Sequence, residues 1–560
     1  MKNGWYAQAF AVLVYIGVLV GSGLPSLEAQ AVNSMQALGE IAVQDGGRVK
    51  PFDTLARESL ELIHGKKTFD KKPAIEIVLT WLLQPMAWEE KQFFEITDFN
   101  VRKALNLDVN RKYFSPKEIM GSERLATLFQ DLQARRDRKE KLDPYYSDLQ
   151  RVEHQLGVFR EMASGRYLRV VPAEDPNAAW ISLAEMEPEF QEIFKNIAAH
   201  FVEGIAAQVE NRSNLSEVSQ KLTAEVQKFN AAVDAKRPGV IDRTKISTEI
   251  HYNNFRPFRW SWVFYLASSM LIGLGWASVF KHGYFLGWGA TIIGMGFHIY
   301  GFAIRSYLMD RAPVTNMYET VVWVAFGVIF FAAILEAIYK WRVLLLGGAI
   351  LATFSLLLSD FAPVVLNPNL DPLEPVLRDN FWLMVHVLTI TVSYAPLFLS
   401  FILGDIALIY FLRGEEKHQD IIKALTLGMY RGIQIGVALL APGIILGGIW
   451  ADYSWGRFWG WDPKETWALI ALLGYLAILH GRLAGYVQQF GMAVASVISF
   501  NLVIMAWYGV NFVLGAGLHS YGFGAGGVEY VFSFSAVHIL FVVFVWRYRE
   551  GRKSTTSKAL

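Results

Sequence analysis

Four tryptophans fall within thirteen residues in the stretch WGRFWGWDPKETW, as Trp455, Trp459, Trp461 and Trp467, interrupted by Gly456 and Gly460 and accompanied by Arg457. Indole rings offer flat apolar area, and glycines let the backbone come close to whatever the rings cover. Two histidines stand to either side, His386 in NFWLMVHVLTITVSYA and His519 in GLHSYGFGAGG. A neutral imidazole ligates iron, and one on each face of a planar iron porphyrin, with tryptophans around its edge, makes a complete haem site. Each piece also has a plainer reading. A single histidine is commonly a hydrogen-bonded structural residue, and tryptophan is common at the headgroup level as an interfacial belt. Belts are spread over many helices, however, whereas these rings are concentrated. The concentration favours a platform for a flat apolar ligand with acidic groups, here haem b, with His386 and His519 as axial ligands and Trp455, Trp459, Trp461, Asp462 and Trp467 forming the platform.

The elements that must hold these residues follow from composition. Of 560 residues 53% are hydrophobic and only 18% charged, and the apolar residues come in long blocks, which is the profile of a membrane protein. A net charge of +1 and the lack of an interleaved basic and aromatic surface speak against nucleic acid. With no cysteine the chain makes no disulfide and performs no thiol exchange, so redox thiol chemistry belongs to a partner. Residues 1–31, with one lysine, an apolar run and the Ala29-Gln30-Ala31 ending, fit a secretory signal and a retained anchor equally well. Residues 32–256 are charged and read as a mostly helical extracytoplasmic domain. Its four histidines, His64, His154, His200 and His251, lack ligand-like spacing and are expected at the surface.

From 257 to 548 the chain is expected to be an all-α, polytopic membrane bundle. Nine apolar runs, near 260–280, 284–304, 318–340, 343–359, 381–412, 427–450, 463–480, 487–514 and 528–547, are each long enough for the ~20 helical residues that cross a bilayer core. The basic tail 549–560 is expected in the cytoplasm, and counting back from it puts the connections 305–317, 360–380, 451–462 and 515–527 outside. Asp462, Pro463 and Glu465 read as N-cap, N1 and N3 of a helix, so the tryptophans sit at a fixed helix entrance, on the same side as His386 and His519. His480 lies some seventeen residues along that helix, at the inner end of the span. An ionisable residue there is a candidate inner haem ligand, with an ordinary interfacial histidine beside Arg482 as the alternative. His298 and His538 are expected to be hydrogen-bonded packing residues, and His282 and His418 to be solvated. Glu336 and Asp405, both toward inner helix ends, are too few for an ion transporter. A membrane electron-transfer cytochrome is expected to repeat paired histidine spacings, which are absent here.

The sequence resembles the CcsA/ResC family of the cytochrome c synthetase, whose signature is a tryptophan-rich WWD segment flanked by histidines. The resemblance rests on WGRFWGWDPKETWALI at 455–470, RAPVTNMYET at 311–320, the segments around His386 and His519, and the inward His480; VQDGGRVKPFDTLARE at 43–58 is similar to a segment that precedes the membrane portion in extended members. It implies the haem-handling subunit of a system II synthetase in a bacterial cytoplasmic membrane. Haem passes outward and is joined, on the periplasmic side, to the cysteines of an apocytochrome c CXXCH motif. Expected partners are a CcsB/ResB-like membrane subunit, supplying the second inner ligand, and thiol-reducing proteins. The related haem-lyase subunit CcmF shares the WWD segment; the exported N-terminal domain and the short stretch after Trp455 argue against it.

Overall fold

A computed structural model describes residues 36–140, 142–210, 212, 214–362, 366–373, 381–514 and 527–559. The expected signal or anchor at 1–31 and the candidate ligand His519 lie outside the described residues. The chain divides into two units, Met1–His251 and Tyr252–Leu560.

After a helical turn at 36–39 the first unit forms a β-hairpin, β1 Ala42–Asp45 and β2 Arg48–Pro51, whose two-residue turn is Gly46-Gly47 with φ of 57° and 79°. Both turn residues need positive φ, which glycine adopts without steric cost and which suits the twist of paired strands. Helix α1 (Phe52–His64) follows, then α2 (Ala74–Leu83), α3 (Pro144–Ala163), the helical hairpin α4 (Pro188–Val209) and α5 (Leu215–Lys236), and α6 (Arg243–Phe255), whose residues from Tyr252 on are counted with the second unit. The core gathers Trp81, Phe93, Phe94 and Phe159 around the packed faces of α1, α2 and α3. The 43–58 segment is thus the hairpin and the first turns of α1. Its charges are paired: Lys50 Nζ donates to Asp45 and Glu58 at 2.7 and 2.6 Å, and Arg48 makes a two-pronged bond to Glu249 at 2.7 and 2.8 Å. Burial alone would lower the Lys50 pKa, but the two carboxylates outweigh it and hold the ammonium above its usual value. One expectation fails here. His64 is not a surface residue: it ends the amphipathic α1 on its buried side, and Nδ1 donates to the Phe93 carbonyl at 3.1 Å. The charged residues around it in sequence hide the helical phase that turns it inward.

All nine predicted runs of the second unit are helical: α7 Pro257–Trp276, α8 Gly283–Met309, α9 Met317–Tyr339, α10 Val343–Phe361, α11 Phe381–Gly414, α12 Gln419–Trp455, α13 Pro463–Leu483, α14 Gln489–Ile504 and α15 Val528–Ala559. The chain is an all-α, multi-pass membrane protein. Among the described residues six segments have the length and hydropathy to cross a membrane, and one of them, Phe381–Trp455, doubles back as α11 and α12. Helices α7 and α8 are not among the six, because glycine and aromatic residues dilute their hydropathy. They pack through Gly287, Gly294 and Gly301, where an added Cβ would strike Ile272, Tyr265 and Phe258. Helix α12 runs eight residues further at its start than its apolar run, since hydropathy does not register a polar helical turn, and it ends only at Gly456 with φ of 67°. Beyond α14 the chain winds as a π-helix over Met505–Leu514. That wider winding is uncommon and marks functional segments.

Candidate functional site

Helices α11 and α12 are antiparallel and unusually close, because glycines of α12 face α11 one after another. A Cβ at Gly432 would meet Ser400 and the Pro396 carbonyl, at Gly436 Leu397, at Gly443 the backbone of Ile390, and at Gly447 the His386 ring at 2.6 Å. Without side chains between them the two backbones approach, which is how helices associate where there is no water to drive them together. This track carries His386, one turn into α11, onto the face of α12. Its Nδ1 lies 2.7 Å from the Gly443 carbonyl oxygen. A carbonyl only accepts, so Nδ1 carries the proton and the lone pair is on Nε2, the form in which imidazole binds a metal.

His386 lines a cavity closed by five further pieces of chain, Leu373 of the α10–α11 connection among them. Trp450 comes from α12, Val314 to Thr320 from the α8–α9 connection and the start of α9, Trp459, Lys464 and Glu465 from the entrance of α13, and Trp507 and Asn511 from the π-helix. Trp450 is 1% exposed and packs edge-on against Trp455 at 4.7 Å. Trp507 donates from Nε1 to Thr320 Oγ1 at 3.1 Å, tying the π-helix to α9. The entrance of α13 is rigid in the way its sequence promises. Asp462 caps the helix, accepting from the Lys464 N–H at 2.9 Å; the Glu465 carboxylate accepts from the N–H groups of Asp462 and Gly460 and pairs with Arg457 at 3.3 Å. Trp461 sits just before the cap in a left-handed conformation, φ 56°, which costs a non-glycine residue roughly 1–2 kcal/mol.

The tryptophans named from sequence therefore part company. Trp459 shares the cavity with His386. Trp455 is the last residue of α12 and packs behind the cavity against Trp450, with the Arg457 guanidinium 5.5 Å from its ring. Trp461 is 70% exposed and touches the edge of Trp459 at 5.8 Å; Trp467 is half-buried on α13, away from the lining. Trp450 and Trp507, which also line the cavity, lie in apolar helical runs, where a tryptophan carries no distinguishing mark in the sequence.

A buried ionic network holds the α8–α9 connection over the cavity. Arg305 and Glu319 pair at 2.7 Å, each 1% exposed in its side chain, and Arg311 reaches the other Glu319 oxygen at 3.1 Å. Glu319 also accepts from the Thr315 N–H and hydroxyl, while Asn316 caps α9. The guanidinium of Arg305 donates on to the Pro368 carbonyl and that of Arg311 to the Asp371 carbonyl, fixing the stretch beside Leu373, another lining residue. The RAPVTNMYET stretch is thus a scaffold for the site.

The remaining membrane histidines differ sharply. His480 is exposed, and Nδ1 donates to the Leu476 carbonyl of its own helix at 2.7 Å. It stands sixteen residues beyond Lys464 on α13, about 24 Å away along the axis. His298 is fully buried, hydrogen-bonded to Tyr265 and the Val322 carbonyl and ringed by phenylalanines, as expected of a packing residue. His538 is held between Phe401 and Phe534, bonded to the Phe534 carbonyl and 3.3 Å from Asp405. His282 is exposed, while His418 is half-buried against Tyr410. Glu336 is buried and caps α10 from across a turn, accepting from the N–H of Arg342 at 2.7 Å.

Residues 314–519 match the family model described as Cytochrome C assembly protein. Protein NrfI of Wolinella succinogenes is 28% identical over 527 residues, 87% of this chain, and the chain spans about half, 54%, of NrfI. The cytochrome c biogenesis protein CcsA of Guillardia theta is 33% identical over 267 residues, 43% of this chain and 87% of that protein. The protein of the same name from Chlamydomonas reinhardtii is 36% identical over 217 residues, 38% of this chain and 61% of that protein.

Proposed function

This chain belongs to the CcsA family of cytochrome c biogenesis proteins, and from that premise we propose that its bundle delivers haem b to the cavity around His386 and presents it there to apocytochrome c. The observation that carries the reading is His386 itself. Its Nε2 lone pair is oriented by the Gly443 carbonyl in a cavity walled by Trp450, Trp459 and Trp507. His386, through Nε2, and His519 would hold the haem iron between them. His480, on the far end of α13, is a ligand of an earlier site at the cytoplasmic surface, which a CcsB/ResB-like subunit completes. The site around His386 then faces the periplasm.

The chemistry asks little of the chain beyond position. Each CXXCH thiol adds across a haem vinyl group: the sulfur–carbon bond forms at one vinyl carbon, the thiol proton ends on the other, and no electrons are exchanged with an outside reagent. Holding the vinyl edge still against the incoming thiols is the main contribution, since orientation alone can supply roughly 7–11 kcal/mol of a barrier. The chain has no cysteine, so a partner must keep the substrate thiols reduced.

The test is the absorption spectrum of protein purified with its partner from haem-replete cells. A Soret band that is lost in His386→Gly and restored by imidazole is expected. Protein without haem under these conditions overturns the reading. Haem binding in cells whose cytochrome c matures normally without this chain would favour an electron-transfer role instead.

A further inference from the structure

The geometry points to Lys464 as the anchor for a carboxylate of the cavity's ligand, an inference that rests on the haem reading above. Among the described residues that line the cavity Lys464 is the one cation, and its Nζ donates to Asn511 Oδ1 at 3.1 Å. An ammonium has three N–H donors, and a neutral amide takes one of them without balancing the charge. The two nearby carboxylates are already engaged: Asp462, beside the ammonium, caps the helix by accepting from the Lys464 N–H, and Glu465 is committed to the Gly460 and Asp462 N–H groups and to Arg457. Helix stability does not account for the lysine either. It sits in the first turn of α13, beside the positive end of the helix, where a cation is disfavoured and an anion welcome. An amine held there, by an asparagine that the π-helix aims into the same cavity, is suited to a ligand that brings its own negative charge. Haem b carries two carboxylates on one edge and vinyl groups elsewhere. Pinning the carboxylate edge at Lys464 would fix the rotation of the ring about the His386–iron axis, and with it which edge faces the thiols. Lys464 is therefore a positioning residue.

The experiment titrates the full chain, purified with its partner, with haem b and with haem b whose two carboxylates are methyl esters, reading the Soret band. The parent should prefer the free acid by about ten- to a hundredfold, the range that charge-assisted hydrogen bonds support. Lys464→Gln should lose that preference while binding the diester as the parent does, and Lys464→Arg should keep most of it. Equal weakening of both ligands in Lys464→Gln, or an unchanged preference, overturns the assignment and leaves the haem reading intact. A parent that binds neither ligand overturns both.

Discussion

His386 and His480 stand on helices of one bundle and have been built in opposite ways. His386 is enclosed: its ring lies on Gly447, its proton is held by a carbonyl of the neighbouring helix, and six pieces of chain wall its cavity. His480 is exposed on α13 and, among the described residues, bonds to its own helix alone. An imidazole that a single chain surrounds can be oriented before any ligand arrives. One on an open helical face acquires a second ligand only from another surface. The contrast teaches that the two ends of the bundle depend on different things, one on internal packing, the other on company.

The heaviest blow to the enclosed end should come from its ionic scaffold. Arg305→Met leaves Glu319 buried with Arg311 as its one remaining guanidinium, a loss that typically costs up to ~3–5 kcal/mol, and should be read as lost thermal stability together with lost haem. If stability holds, the network does not support the cavity. His386→Gly should lower haem affinity by at least about tenfold and recover with added imidazole, without a comparable loss of stability. Gly447→Val separates packing from ligation. Its Cβ would enter the imidazole ring, so it should cost ~1–3 kcal/mol and weaken haem binding although every proposed ligand is present; imidazole should not rescue it. Next is Asp462→Ala, which removes a helix cap worth ~1 kcal/mol and should slow cytochrome c maturation without emptying the site. The smallest effect is expected for His480→Ala in the chain alone, where stability should stay within about 0.5 kcal/mol and haem content should not change. In the complex with its partner the same substitution should cut haem content. An equal loss in the isolated chain would break the comparison, because His480 would then be serving a site that this chain completes by itself.

The pair of half-buried His538 and buried Asp405 shows why an ionisable contact inside the bundle does not by itself identify a site. His538 bonds to the Phe534 carbonyl and lies 3.3 Å from Asp405, and among the described residues neither lines the cavity of the tryptophans.

What the sequence determined by itself were features whose causes are local or collective. Long apolar runs can only be spans or core, so the nine helices that follow them among the described residues of the second unit were legible. The cap at Asp462 and Glu465 acts within four residues and was legible too, as was the family, through the WWD segment. The tertiary structure alone decided which rings meet His386. Trp455 and Trp459 are four residues apart, yet the first ends a helix and turns to Trp450 while the second faces the cavity, because Gly456 breaks α12 between them. Trp507 and Asn511 reach the cavity through a π-helical winding that hydropathy cannot register. The Arg305–Glu319 pair spans a loop, and the seat of His386 depends on glycines some sixty residues away. Spacing along a chain reports direction only while the helix stays regular, and at this site it is interrupted at Gly456 and again after Ile504.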